Sequence, residues 1–157
     1  MKKSVVLIII AVYILSVCVV GFFGIKAKMY NETVNVESVT IQNEVSITIG
    51  DKEEIKEITL DEETGEKSII VKSKRNTTLT FKIYYLVNPA DATDKRIQLN
   101  FTKHEGISVS QAPGEDAVIV TIELEKVTKM QTITIQSLID PNLCDTITIG
   151  AQVLNLG

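Results

Sequence analysis

From Ser4 to Ile25 the chain runs 22 residues without a charge, and beyond Tyr30 its apolar positions settle into a period of two. The first pattern predicts a membrane helix. As a helix the run is roughly 33 Å long at 1.5 Å per residue, enough for a hydrocarbon core of about 30 Å. It is longer than the apolar stretch of a cleavable signal peptide, and Ala27 with Ile25 two residues before it makes a poor small-x-small exit. Signal cleavage is the alternative. Leu15-Ser16-Val17-Cys18 looks like a lipoprotein processing box, but Val17 stands where a small residue is needed, so Cys18 reads as an apolar residue of the helix. The lysines on either side, Lys2 and Lys3 against Lys26 and Lys28, nearly balance. Met1-Lys2-Lys3 ahead of the apolar run resembles a bacterial export signal, which predicts a cytoplasmic N-terminus and an extracytoplasmic C-terminal domain.

The second pattern is clearest where Leu79, Phe81, Ile83, Tyr85 and Val87 alternate with Thr80, Lys82, Tyr84 and Leu86. Side chains two apart share a face of a strand. The same alternation marks 45–49, 97–101, 118–124, 132–135 and 146–149, all rich in Val, Ile and Thr, which suit a pleated, half-buried surface. Turn chemistry separates them at Gly50-Asp51, Glu63-Thr64-Gly65, Asn88-Pro89, Glu105-Gly106, Pro113-Gly114 and Asp140-Pro141-Asn142. Eight to ten short strands without a helical stripe predict an all-β, antiparallel sandwich, with a closed barrel as the other architecture. The inward phase slips at Ser38-Val39, which predicts a bulge or a crossing between sheets there. The acid-dense stretch Asp51–Glu66 reads as a solvated hairpin around Ile55–Leu60, or as an insertion on the common plan. The chain thus divides into a signal-anchor or transmembrane segment at 1–28, a short linker at 29–35 and a sandwich domain at 36–157.

Charge narrows the partners. All 20 acids fall in the 131 residues from Ala27 onward, against 13 bases once Lys2, Lys3 and Lys26 are set aside from the 16, a net charge near −7. Such a domain repels nucleic acid and anionic lipid. The expected partners are the bilayer, through residues 4–25, and an unidentified protein or cell-envelope component; nucleic acid is excluded.

The stretch Leu79-Thr-Phe-Lys-Ile-Tyr-Tyr-Leu-Val-Asn-Pro-Ala-Asp-Ala-Thr-Asp-Lys-Arg-Ile-Gln-Leu99, and within it Pro89–Lys95, resembles the bacterial Ig-like domain, group 2, of intimin- and invasin-type surface proteins. In that family a strand ends at the Pro, an Asn/Asp-Ala-Thr turn follows, and the next strand carries alternating Val or Ile and a Trp. Ile97 takes the aliphatic position and Leu99 stands where the Trp is usual. Val36–Ile41 is similar to the family's opening strand, Gly106–Val109 to the strand after the Trp, and Ala112-Pro113-Gly114 to a later turn. The resemblance implies an Ig-like sandwich that binds protein or builds cell-surface structure, including adhesion.

Chemistry is sparse. His104 and Glu105 are neighbours, and neighbours in a strand point to opposite faces; beside Gly106 both are expected in solvent. No Gly-x-Ser-x-Gly elbow, phosphate loop, CxxC pair or HExxH helix occurs, so no enzyme, cofactor or metal site is expected. The acid clusters Asp51/Glu53/Glu54, Asp61/Glu62/Glu63 and Asp91/Asp94 offer oxygen ligands to calcium but read as solvated turns. Cys144 is the sole thiol after the membrane run and reads as a small, partly buried apolar residue. The sequons at Asn31, Asn76 and Asn100 matter only in a eukaryotic secretory route. Pro89 ends a strand, and Asp91 and Asp94 then bond turn amides. Loops at the ends of a sandwich are where recognition concentrates, so Asp91, Asp94, Lys95 and Arg96 are the candidate binding residues. Two functions follow: a membrane-anchored extracytoplasmic binding or structural module, or an accessory subunit of a membrane complex, whose helix packing would draw on the Gly21–Gly24 pair.

Overall fold

The structure is a computed structural model that describes residues 3–30, 33–127 and 129–154, except for the side chains of Leu7 and of residues 22–30. Lys2, the side chains of Lys26 and Lys28, the surroundings of Gly24 and the sequon residue Asn31 lie outside that description. The chain forms two compact units, residues 1–33 and 34–157. The first holds one helix, α1 (Lys3–Tyr30), whose segment Lys3–Gly21 has a mean hydropathy of 2.9 and is long and apolar enough to cross a membrane.

The second unit is all strand and turn among its described residues. In chain order it comprises β1 (Ser38–Ile49), β2 (Lys52–Glu57), β3 (Thr59–Leu60), β4 (Lys67–Ser73), β5 (Thr78–Asn88), β6 (Ile97–Phe101), β7 (Ile107–Gln111), β8 (Ala117–Glu123), β9 (Gln131–Ser137) and β10 (Cys144–Val153). Two five-stranded sheets result, ordered β2-β1-β5-β8-β7 and β3-β4-β10-β9-β6. The period-two pattern becomes burial directly: on β5, Leu79, Phe81, Ile83, Tyr85 and Val87 are buried while their neighbours face outward. With Ile41, Val45 and Ile47 of β1, Ile133 and Ile135 of β9, and Ile147 and Ile149 of β10 they form one core drawn from both sheets. Each such side chain contributes about 1.5–3 kcal/mol on burial.

Four expectations need correction. The first is that the sheets are not wholly antiparallel, because β4 runs parallel to β10 from Lys67↔Ile147 to Ser73↔Val153. Strands β5 to β9 lie between β4 and β10 in the chain, and a long connection of that kind permits parallel pairing. The register shift of β1 lies between Ile41 and Val45, not at Ser38-Val39: Ile41 pairs with Tyr85 and Val45 with Ile83. Gln42, Asn43 and Glu44 have no apolar side chain to hold the phase and stand exposed, yet four residues of β1 against two of β5 restore Val45 to the inner face. Residues 55–60 are not a hairpin: β2 pairs with β1 in the first sheet and β3 with β4 in the second, so the chain changes sheets at Ile58. Ile58 packs against the core, while Ile55 is 71% exposed. Finally, Cys144 is exposed, because it falls on the outward phase of β10 opposite Gln136.

Candidate functional site

The strand directions give the domain two ends. At the inlet end the chain enters: Val34 N–H donates to Thr93 Oγ1 and Thr93 N–H to Val34 O, both at 2.9 Å, and Glu37 N–H donates to Asn88 O. The connections gathered there are 61–66, 89–96, 112–116 and 138–143. At the far end lie 50–51, 74–77, 102–106 and 124–130.

The sequence-selected residues all belong to the inlet end. β5 stops at Asn88, the Asn88-Pro89 peptide is cis, and Ala92 N–H donates to Pro89 O with the Ala92 methyl buried. Asp94 closes the turn as expected. Its Oδ1 accepts from Arg96 N–H at 3.0 Å, and its two oxygens hold the Arg96 guanidinium at 2.6–3.0 Å. The Arg96 side chain first, then its backbone amide, lowers the Asp94 carboxyl to about 2. Asp91 does not share this role, since among the described residues its exposed side chain bonds no turn amide. Asp94, Lys95 and Arg96 line an open groove of about 560 Å³ with Ile97, Gln111 and Leu138. Leu138 N–H donates to Arg96 O, tying the β9–β10 connection to this loop. The two flanking strands are not equally buried: β5 is central, whereas β6 is an edge strand whose Ile97, Leu99 and Phe101 are half-buried.

Two of the other acids proposed as oxygen ligands, Asp61 and Glu53, accept local hydrogen bonds. Asp61 Oδ1 accepts from Glu63 N–H and Thr64 N–H at 2.9 Å, and the Thr64 amide, then the Glu63 amide, lowers its pKa. Glu53 accepts from the Ser46 hydroxyl. His104 and Glu105 are both exposed in the β6–β7 connection, and Glu105 faces Lys126 at 3.6 Å. Tyr85 is buried with its hydroxyl accepting from Gln111 Nε2 at 2.8 Å; burial, then Asp116, raises its pKa, and the Gln111 bond opposes them.

Two features escaped the sequence reading. One is a charged clamp between the sheets: Lys67 Nζ of β4 contacts Asp145 Oδ2 of β10 and donates to Ile41 O of β1 at 2.9 Å, while Asp145 Oδ2 accepts from Ile41 N–H at 2.7 Å. Its signal was present, since Lys67 stands in phase with Ile69 and Val71, and Asp145 with Ile147 and Ile149. A charge on an inward phase requires a partner.

The other is a charge asymmetry between the ends. The inlet connections carry four acids in 61–66, two in 89–96, two in 112–116 and one in 138–143, against Lys95 and Arg96 alone, a net −7. The far connections carry Lys74, Arg75, Lys103, Lys126 and Lys129 against Asp51, Glu105 and Glu125, a net +2. Hydrogen bonds join the far loops: Leu124 N–H donates to Thr77 O, and Glu123 N–H to Gly106 O. Gly106 has φ +86°, and a Cβ there would lie 2.7 Å from Lys126 Cβ, so only glycine lets these loops approach so closely. Compared with protein-family models, with curated proteins and with solved structures, the chain finds no match in any of the three.

Proposed function

We propose that this protein is a bilayer-anchored, Ig-like binding or structural module held outside the cytoplasm of a bacterium, and not an enzyme. One observation carries the reading. An Ig sandwich places strands A, B, E and D in one sheet and C, F and G in the other. The order β1-β5-β8-β7 reads as A-B-E-D, and β10-β9-β6 as G-F-C, with β4 lying beside G as a continuation of A in the second sheet. On this reading β2 and β3 are an insertion between β1 and β4, leaving after Ile49 and returning at Lys67, whose ammonium bonds the Ile41 carbonyl of β1. The topology supports the resemblance seen at Leu79–Leu99, and the apolar helix supplies the anchor.

Cys144 is exposed on the domain and Cys18 lies in the apolar helix. With Cys18→Ser removing the second thiol, a membrane-impermeant maleimide added to intact cells is expected to label Cys144, and the labelled chain to resist alkaline carbonate extraction. Labelling only after permeabilisation would place the domain inside and defeat the proposal.

A further inference from the structure

We propose that the far end of the domain, whose local charge is opposite to the domain's net charge near −7, is a docking surface for a phosphate-bearing polymer other than nucleic acid. The observation is positional. A domain with a net charge near −7 gathers its acids at the end where its covalent tether attaches and keeps a net +2 in the loops at the opposite end. Lys126 faces both Glu105 at 3.6 Å and Glu123, the last residue of β8, at 2.9 Å, so its single charge is taken up by these two acids. Lys74, Arg75, Lys103 and Lys129 are exposed and, among the described residues, join no ion pair. They stand on three connections held side by side by the Thr77–Leu124 and Gly106–Glu123 hydrogen bonds. Between two of those connections runs an open groove of about 340 Å³, lined by His104, Glu105, Lys126, Val127, Lys129 and Gln131.

The composition of this surface selects the partner. The cores of protein–protein interfaces are enriched in aromatic anchors and arginine and depleted in lysine. Here three of the four unpaired cations are lysines, no aromatic residue occurs in the three connections, and Met130 is the exposed large apolar side chain there. Lysine ammonium groups act on phosphate as point charges and need no planar, bidentate geometry. A flexible chain of phosphates can satisfy cations spread over three turns, and its affinity comes chiefly from counterion release. The inlet end would repel the same polymer, which fixes the polarity of capture.

This inference takes its setting from the reading of a tethered module, but Cys144 labelling judges that reading separately. The test uses the full chain in phosphatidylcholine nanodiscs with long-chain inorganic polyphosphate as the probe. Binding is expected at low salt, weakening on the order of 50-fold between about 50 and 200 mM salt if four phosphates are contacted. Lys74→Glu with Lys129→Glu is expected to weaken it at least about tenfold with an unchanged melting temperature, whereas Lys56→Glu on β2 should shift it by less than about twofold. Absence of binding at low salt, or an equal loss with Lys56→Glu, overturns the proposal. Equally tight binding of poly-glutamate also overturns it and assigns the surface to acidic polypeptides.

Discussion

Asp145 holds donors from residues of three strands at once. Its carboxylate receives Ile41 N–H, Thr146 N–H and the Lys67 ammonium, and it joins strands of both sheets beside the point where β1 leaves its regular register. Asp145→Ala strands the Lys67 ammonium and the Ile41 amide together, so it is expected to cost about 2–3 kcal/mol in urea denaturation. Lys67→Met removes its own charge and leaves Asp145 bonded to two amides, so its cost should be the smaller; the reverse order would discard this account of the clamp. At the inlet end the Asp94–Arg96 fork gives a pH prediction. The folded carboxyl titrates at about 2, below its ordinary 3.8. Its stabilising contribution is therefore complete above the unfolded value and is lost as pH falls through about 2. A carboxyl-carbon NMR titration should find Asp94 still ionised at pH 3, and Arg96→Gln should bring its midpoint back toward 3.8. Tyr85 has the opposite sign, its raised pKa favouring the neutral phenol, so that contribution is lost as pH rises through the folded value above 10.

At the scale of elements, the strands follow from alternation while the path between them does not. Val45–Ile49, 79–87, 97–101 and 118–123 occur where period two places them, because each buries one face. The β2–β3 excursion is different, since Lys-Glu-Glu-Ile-Lys-Glu has almost no apolar content and pairs only because β1 offers it a backbone edge. Such a segment contributes little burial, and its outer turn at 61–66 is exposed throughout. A glutamate-specific protease is thus expected to cut first within Glu62–Glu66, leaving two fragments that co-elute and melt within a few degrees of the intact domain. Dissociation on cutting would show that the excursion holds the sheets together.

For the whole molecule, the division at Val34 and a core shared by eight of the ten strands predict that residues 34–157 fold without the helix. That fragment should give a β-type circular dichroism spectrum and a single melting transition unmoved by EDTA or reductant. A helix-dominated spectrum, or loss of structure with either reagent, would contradict it. By itself the sequence determined the apolar span, the strands and the turn at Pro89, because each depends on hydrophobic period or local backbone chemistry within a few residues. It also presented Asp91, Asp94, Lys95 and Arg96 as one cluster, but a one-dimensional pattern carries no record of which end of a sheet a loop occupies. The tertiary structure decided what depends on distant pairing. It set the parallel contact of β4 with β10, joined Lys67 to Asp145 across 78 residues, and divided an acidic chain into an acidic inlet and a basic far end. Those outcomes come from strand order, in which segments far apart in the chain share an edge and their charges become neighbours in space.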